Sequence, residues 1–476
     1  MCDNNTTAFY DTGQYCLIKY PMLPDAFDGI RPFSADAGYA RRCDREDPLA
    51  RFRERFLLPA EELLYLDGNS LGPLLARTRE VIGEVTSRQW GEQLIESWNA
   101  RWWDLPERMG DLLAPLLGAS AGEVVMADST SVNLYKLAHG ALKLRPGRTR
   151  VVSDTLNFPT DLYILQGILK EAGPEYELKL AGSLNGTEPD PEEMESLITE
   201  DTALVVLSAV TFKSGYFYDM AAVTAMAHRK GALVLWDLSH ATGAVPLALN
   251  AAGADLAVGC TYKYLNGGPG SPAFLFVRKE LQPQMDSPLQ GWFGERNPFL
   301  FGLDYSPAES VRKFMAGTPP ILSLAAVQPG IEILLEAGMA NLREKSLRQS
   351  EYLLFLAGEL LYPLGFSSAS PADPARRGSH IALRHPEAWR ICRAMIHPQK
   401  NRSDNNTEEI DNVRVAGIHD PVPRIIPDFR DPDIIRLGIT PLYTTWTSLH
   451  KTVLRIREIL TSGEYLQISG DKEIVT

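Results

Sequence analysis

From Glu123 onward, short apolar runs alternate with stretches whose apolar residues recur at helical spacing. The runs fall at 123–127, 149–153, 176–180, 202–207, 232–236, 255–259 and 273–277. Helical spacing fills 131–143, 159–172, 190–199 and 219–230. Apolar runs of strand length joined through helices predict βαβ units, and so a mainly parallel sheet covered by helices on both faces. Upstream, residues 1–47 are rich in turn formers and show no sustained period. Helical spacing then appears around Leu49 to Leu58, and Leu63 to Leu66 reads as a short strand. The turn after it, Asp67-Gly68-Asn69-Ser70-Leu71-Gly72-Pro73, leads into a helix carrying Leu74, Val81, Ile82 and Val85.

After about residue 325 the pattern changes. Helices are predicted at 323–338 and 341–362 with a break at Gly338, and short strands and helices mix through 378–396. Residues 397–427 are polar and proline-bearing, which predicts an exposed inserted loop. A strand near 434–438 and a helix over 445–461 close the chain. The fold class is therefore α/β: a large domain with a mainly parallel sheet covered by helices on both faces, plus a smaller α+β C-terminal domain. The boundaries read as 1–60 for a partly irregular arm and helix, 61–325 for the large domain and 326–476 for the small one.

Composition narrows the partners. The chain has 476 residues, a formal net charge of −13 and no long basic run, which argues against nucleic acid and anionic membrane surfaces. No apolar run approaches the ~20 residues that cross a bilayer. The N-terminus has neither the basic nor the apolar region of a secretory signal, so a cytoplasmic location is expected. Five scattered cysteines (Cys2, Cys16, Cys43, Cys260 and Cys392) form no paired spacing and read as reduced thiols.

The candidate chemistry centres on residues 232–270. The strand at 232–236 ends on Asp237, with His240 three residues later, and Lys263 stands between two tyrosines ahead of Gly267-Gly268-Pro269-Gly270. A carboxylate closing a buried strand calls for a cationic partner. A lysine held between a strand and a glycine turn keeps its amine accessible. Together they suggest pyridoxal phosphate, with the lysine joined to the aldehyde and the aspartate paired with the ring nitrogen. Taken alone, the pair also fits a solvated loop lysine and a helix cap.

Further residues after predicted strands strengthen the first reading. Thr130 and Ser131 open a helix and suit a phosphate, although simple capping explains them as well. Phe158 could stack on a ring, with Asp161 and Ser208 at other strand ends. In open α/β sheets ligands bind beyond the carboxyl ends of the strands, so Thr130, Ser131, Phe158, Asp161, Ser208, Asp237 and His240 converge on one rim. The glycine-rich stretch does not match the dinucleotide pattern G-x-G-x-x-G. The eight histidines show no ligand spacing, so no metal is expected and His240 reads as a hydrogen-bonding group over the cofactor ring. The stretch from Trp90 to Trp103 holds four tryptophans; core packing is favoured over a pocket wall.

The segments YLDGNSLG (65–72), NFPTD (157–161), WDLSHATGAVP (236–246), TYKYLNGGPG (261–270), GWFG (291–294) and RDPDIIRLGITPLY (430–443) resemble the kynureninase family of fold-type-I pyridoxal phosphate enzymes. The resemblance runs from about residue 50 to about 460. It implies hydrolysis of L-kynurenine, its 3-hydroxy form or a ring-substituted analogue to an anthranilate and L-alanine, in a homodimer with shared active sites. By the same resemblance Lys263 carries the cofactor, Asp237 pairs with its ring nitrogen and Tyr262 returns a proton. Thr130, Ser131 and Tyr262 would hold the phosphate, with Trp292 and Thr318 reaching it from the other subunit. Phe158 would stack on the ring, with Asp161, Ser208 and His240 completing its contacts. Arg436 would bind the substrate carboxylate through its planar fork, and Asn69, Ser70, Trp98 and Asn99 would line the aryl end.

Two other readings stay on the same fold. A cysteine desulfurase or transaminase-like enzyme is one, but Cys392 sits in a helical pattern, WRICRAM, that suggests burial rather than a mobile reactive loop. A catalytically idle cofactor-binding protein is the other, and it predicts loss of Lys263 or Asp237.

Overall fold

The computed structural model describes residues 33–59, 63–398 and 422–470. Its helices are α1 (Ala37–Glu46), α2 (Ala76–Glu84), α3 (Leu105–Leu117), α4 (Thr130–Lys143), α5 (Pro159–Ala172), α6 (Pro191–Leu197), α7 (Met220–Arg229), α8 (Ile321–Ala337), α9 (Met339–Leu360), α10 (Ala388–Ile396) and α11 (Trp446–Ser462). The strands are β1 (Leu63–Tyr65), β2 (Val124–Met126), β3 (Arg150–Asp154), β4 (Glu177–Ala181), β5 (Thr202–Ser208), β6 (Leu233–Asp237), β7 (Leu256–Gly259), β8 (Phe274–Val277), β9 (Ser367–Ser368), β10 (His380–Arg384), β11 (Arg424–Ile426), β12 (Asp428–Arg430) and β13 (Ile434–Gly438).

Seven strands form the large sheet in the order β2-β8-β7-β6-β5-β3-β4. Every pairing is parallel except those of β8, which runs antiparallel to both β2 and β7. Alternation along each strand sends neighbours to opposite faces. Val205, Leu207, Val234, Trp236 and Ala257 join one core with residues of α3, α7 and α8. Leu204, Val206, Leu233, Leu235, Leu256 and Val258 join the other with residues of α4 and α5. Strands buried on both faces explain why β5 and β6 read as unbroken apolar runs.

A four-stranded antiparallel sheet, β12-β13-β10-β9, forms a second unit whose core takes residues of α9, α10 and α11. Three placements differ from the sequence pattern. Residues 37–46, within the stretch expected to be irregular, form α1, capped by Asp36 and burying Tyr39, Ala40 and Cys43. Its apolar stripe is too short to announce itself, and packing on Tyr352, with ring centroids 5.3 Å apart, supplies the stability. Helix α8, most of which falls after 325, packs on the large core through Leu324, Val327, Ile331 and Leu334. Residues 424–426, at the end of the expected loop, form β11 and pair with β1 in parallel. The rest of that loop from 399 to 421, like the arm before residue 33, lies outside the described residues. Among the described residues no single helix is long and apolar enough to cross a membrane.

Candidate active site

Adjacent parallel strands bring Ser208 and Asp237 side by side at the carboxyl ends of β5 and β6. Asp237 Oδ1 accepts from Ser239 twice, from its backbone N at 2.8 Å and its Oγ at 2.6 Å, so the carboxyl is fixed in orientation. Burial pushes the Asp237 carboxyl up, opposed by the Ser239 bonds and the charge of Lys263. Asp161, in the first turn of α5, is buried and its Oδ2 has no hydrogen-bond partner. Burial first, and the neighbouring Asp237 second, hold it well above the usual carboxylate range. The Ser208 hydroxyl donates to Asn157 Oδ1 at 2.6 Å, and that same oxygen accepts from Phe158 N at 2.8 Å. Ser208 therefore fixes the turn that carries Phe158.

Lys263 follows β7 on a loop held from two sides by glycines. Gly72 N donates to Tyr262 O at 2.8 Å, and a Cβ on Gly72 would stand 2.4 Å from Lys263 O. On the other side a Cβ on Gly330 of α8 would stand 1.7 Å from Leu265 O. Only glycine permits either approach. The lysine Nζ lies 3.2 Å from His240 Nε2 and 3.4 Å from Nδ1. Near-equal distances place the amine off the line of either ring lone pair, so it is not locked in a strong hydrogen bond. It also lies 5.9 Å from the ring centroids of both Phe158 and Tyr262. Burial lowers the Lys263 pKa, with Arg436 and Arg430 adding to the fall and Cys260 and Asp237 opposing it. His240 is held well below its usual range by burial and then by Lys263 and Arg436, so it is neutral.

Beside this loop lies a cavity of about 460 Å³, lined among others by Ser129, Thr130, Ser131, Tyr262 and Thr318. It opens onto the N-terminus of α4, capped by Ser129, where the helix dipole and amide groups favour an anion. Thr318 lines the cavity of its own chain. Trp292 instead stands half-exposed against Trp103, Phe293 and Phe299.

Arg436 on β13 is fully buried, and its fork is largely engaged. Nε and Nη2 pair with Asp428, Nη2 also reaches Ser70 Oγ at 3.3 Å, and Nη1 donates to Phe212 O. Asn69 is fully buried beside it; a Cβ on Gly438 would stand 2.2 Å from Asn69 Oδ1. Asn69 and Ser70 thus stand by Arg436, whereas Trp98 packs on Trp102 and Phe293 and Asn99 is exposed. Cys392 is buried in α10, and burial drives its thiol pKa well up. Sequence reasoning passed over Asn157, Ser239, Asp428 and His380. The first two lay inside quoted motifs at strand ends, but Asp428 and His380 gain meaning only through the pairing of β10, β12 and β13.

The donor set fits pyridoxal phosphate. An orphaned buried carboxylate oxygen on Asp161 and an oriented Asp237 suit ring substituents, Phe158 offers an apolar face, and the cavity at α4 suits a phosphate. Among the described residues no group of three or more His, Cys, Asp or Glu side chains could hold a metal ion.

Comparison with known proteins agrees. The aminotransferase class-V family matches residues 97–375, and the kynureninase C-terminal domain matches residues 422–456. A kynureninase from Pseudomonas fluorescens is 42% identical over 89% of this chain and 95% of its own length. One from Burkholderia pseudomallei (strain 1106a) is 40% identical over 88% and 94%. In three dimensions a cysteine desulfurase from Thermococcus onnurineus NA1 aligns with a TM-score of 0.71 at 16% identity, covering 87% of this chain and 98% of that one. A cysteine desulfurase from Escherichia coli aligns at 0.68 and 17%, covering 88% and 98%. The desulfurase likeness is one of fold, while the C-terminal domain that supplies Arg436 matches kynureninases: this chain belongs to the kynureninase family.

Proposed function

We propose that the protein hydrolyses L-kynurenine or a ring-substituted form of it, releasing an anthranilate and L-alanine. The observation that carries this reading is the convergence of Lys263, Asp237 and Asp161 from the large unit with Arg436 from the small one. Residues 61–325 then carry the cofactor, and the unit from 326 onward contributes the carboxylate site.

Bound pyridoxal phosphate would supply an aldehyde for amines and a ring that takes up electron density when the α-proton leaves. Lys263 would hold the cofactor through its amine and would remove the substrate α-proton; its lowered pKa keeps more of the amine in the basic form. Asp237, held by Ser239, would pair with the ring nitrogen and favour its protonated form. Thr130, Ser131, Tyr262 and Thr318 would hold the phosphate, and Phe158, His240 and Asp161 would contact the ring. Arg436 and Ser70 bind the substrate carboxylate, and Tyr262 returns a proton to the alanine fragment. Asn69, Trp98 and Asn99 serve the aryl end.

A homodimer belongs to this reading. Trp90, Leu94, Ile95, Phe299, Leu300, Phe301 and Leu303 are each more than half exposed, and clustered apolar side chains of this kind suit an interface. Trp98, Asn99 and Trp292 would then serve the partner's site.

The test is anthranilate release from L-kynurenine, 3-hydroxykynurenine and ring-methylated analogues by the purified, cofactor-saturated protein. Lys263→Ala is expected to lose on the order of 10³-fold or more in kcat, and Asp237→Ala to retain cofactor but lose most of its rate. Full activity in either variant removes that residue from its role.

A further inference from the structure

Strand pairing gives the small sheet one polar face. His380 lies opposite Gly438, Ala382 opposite Arg436, and Asp428 opposite Arg436 from the other side. Side chains two positions apart on paired strands share a face, so His380, Arg436 and Asp428 stand together. Gly438 leaves a gap that Asn69 occupies. The His380 ring reaches to 6.0 Å of the His240 ring, centroid to centroid, and His240 adjoins Lys263. His380 is therefore inside the active site.

The hydrogen-bond accounting at this face does not close. A guanidinium has five N–H groups. Nε and one Nη2 hydrogen of Arg436 serve Asp428, the other Nη2 hydrogen serves Ser70, and one Nη1 hydrogen serves Phe212 O. One N–H remains, and a carboxylate bound through both oxygens needs a second donor. Beside it stand both amide atoms of Asn69, which have no partner, and the His380 ring, which lies near the Lys213 backbone with neither nitrogen in hydrogen-bonding geometry. Buried polar atoms are almost always satisfied, so a group of orphans around an incomplete fork marks where a polar ligand sits.

Resting on the amino-acid substrate assigned above, we propose that His380 is a substrate-binding residue, donating through one ring N–H to the carboxylate oxygen that Arg436 leaves unpaired. Burial, then Arg436, depress its pKa to about 3 against the opposing pull of the Lys213 backbone, so the ring is neutral, and the proposed bond requires its single N–H to face the substrate rather than Lys213.

The test titrates the holoenzyme with L-alanine, which carries the amino-acid end without the aryl ketone, and follows the cofactor absorbance. His380→Leu is expected to raise the L-alanine Kd and the L-kynurenine KM by the same factor, about tenfold or more. His380→Gln, which keeps a donor, should stay within about threefold of wild type. If His380→Leu fails to fold by circular dichroism, His380→Asn, polar but shorter, carries the same expectation of a raised Kd. A wild-type L-alanine Kd in the folded Leu or Asn variant, beside a wild-type enzyme that turns over L-kynurenine, overturns the assignment of His380 and leaves the activity standing. A raised KM with unchanged L-alanine binding also overturns it, since the contact would then be to the aryl end. A wild type without turnover overturns the activity reading, and this one with it.

Discussion

Lys136 Nζ lies 2.7 Å from Asp128 Oδ2 and 2.6 Å from Phe314 O, joining the two segments that wall the cavity at the N-terminus of α4. Asp128 precedes Ser129-Thr130-Ser131 and sits at φ 45°, a conformation that costs a non-glycine residue energy. Phe314 precedes Met315–Thr318 on the facing wall. The cavity lining includes Asp128 but no Lys or Arg, so a phosphate there would meet an unopposed carboxylate without Lys136 behind it.

Lys136→Met should therefore weaken binding of pyridoxal phosphate by tenfold or more while binding of pyridoxal, which lacks the phosphate, changes little. Fluorescence titration of the apoenzyme with each compound reads the difference. A third of the Asp128 side chain is exposed and water can compensate it, so the stability cost is on the order of 2 kcal/mol rather than that of a fully buried broken pair. Equal weakening of both compounds would make Lys136 a purely structural residue.

Gly330 offers a test that acts through the loop carrying Lys263 without changing any side chain assigned a role. A Cβ there meets Leu265 O, and backbone cannot yield as a flexible side chain can. Gly330→Ala should push the 263–267 loop outward, costing about 1–3 kcal/mol in stability and lowering kcat more than it raises KM. Thermal unfolding and steady-state assays check it; an unchanged Tm would show that α8 shifts without strain.

The parallel sheet was legible because strands buried on both faces leave continuous apolar runs, and the strand ends then named Asp237, Ser208 and Phe158 in advance. The roles around them were less legible. Ser208 looks like a ligand in one dimension, yet its hydroxyl donates to Asn157. The planar fork of Arg436 suits a carboxylate in one dimension, but the sequence does not show that Asp428, eight residues earlier, takes its Nε and one Nη2 hydrogen. His380 and Arg436 are 56 positions apart, and only antiparallel pairing sets them on one face. Helix α1 escaped notice because its stability comes from Tyr352 and its neighbours rather than from its own pattern.

The exposed apolar stretch Phe299–Leu303 predicts concentration-dependent behaviour. Leu303 is fully exposed and Phe301 is 80% exposed. If the proposed homodimer forms through this stretch, Phe301→Asp with Leu303→Asp should lower the mass seen by sedimentation equilibrium relative to wild type and reduce activity, which mixing with a Lys263→Ala partner should partly restore where active sites are shared. A double variant that sediments as wild type would exclude this stretch from the interface.

Asp67 gives the substrate site a pH dependence of definite sign. Its Oδ1 is buried without a partner, and Ser70, which bonds its side chain, also contacts Arg436. Burial and the nearby Asp428 raise its pKa from 3.8 to about 7, against the pull of Ser70, Arg436 and Arg430. The folded state thus holds this proton more tightly than the unfolded chain, so the contribution of Asp67 to stability is full below pH 4, is lost as pH rises from about 4 to about 7, and is constant above. Above pH 7 the ionised carboxylate competes with the substrate carboxylate for Arg436, so KM for L-kynurenine should rise while kcat changes little. Asp67→Asn, neutral at every pH, should remove this contribution: its KM should stay flat from pH 6 to 8.5, and its chemical-denaturation midpoint should gain on that of the wild type as pH rises from 4 to 7. A KM rise that persists in Asp67→Asn would assign the titration to another group, and the carboxylate site would then owe its pH response to the substrate or the cofactor rather than to Asp67.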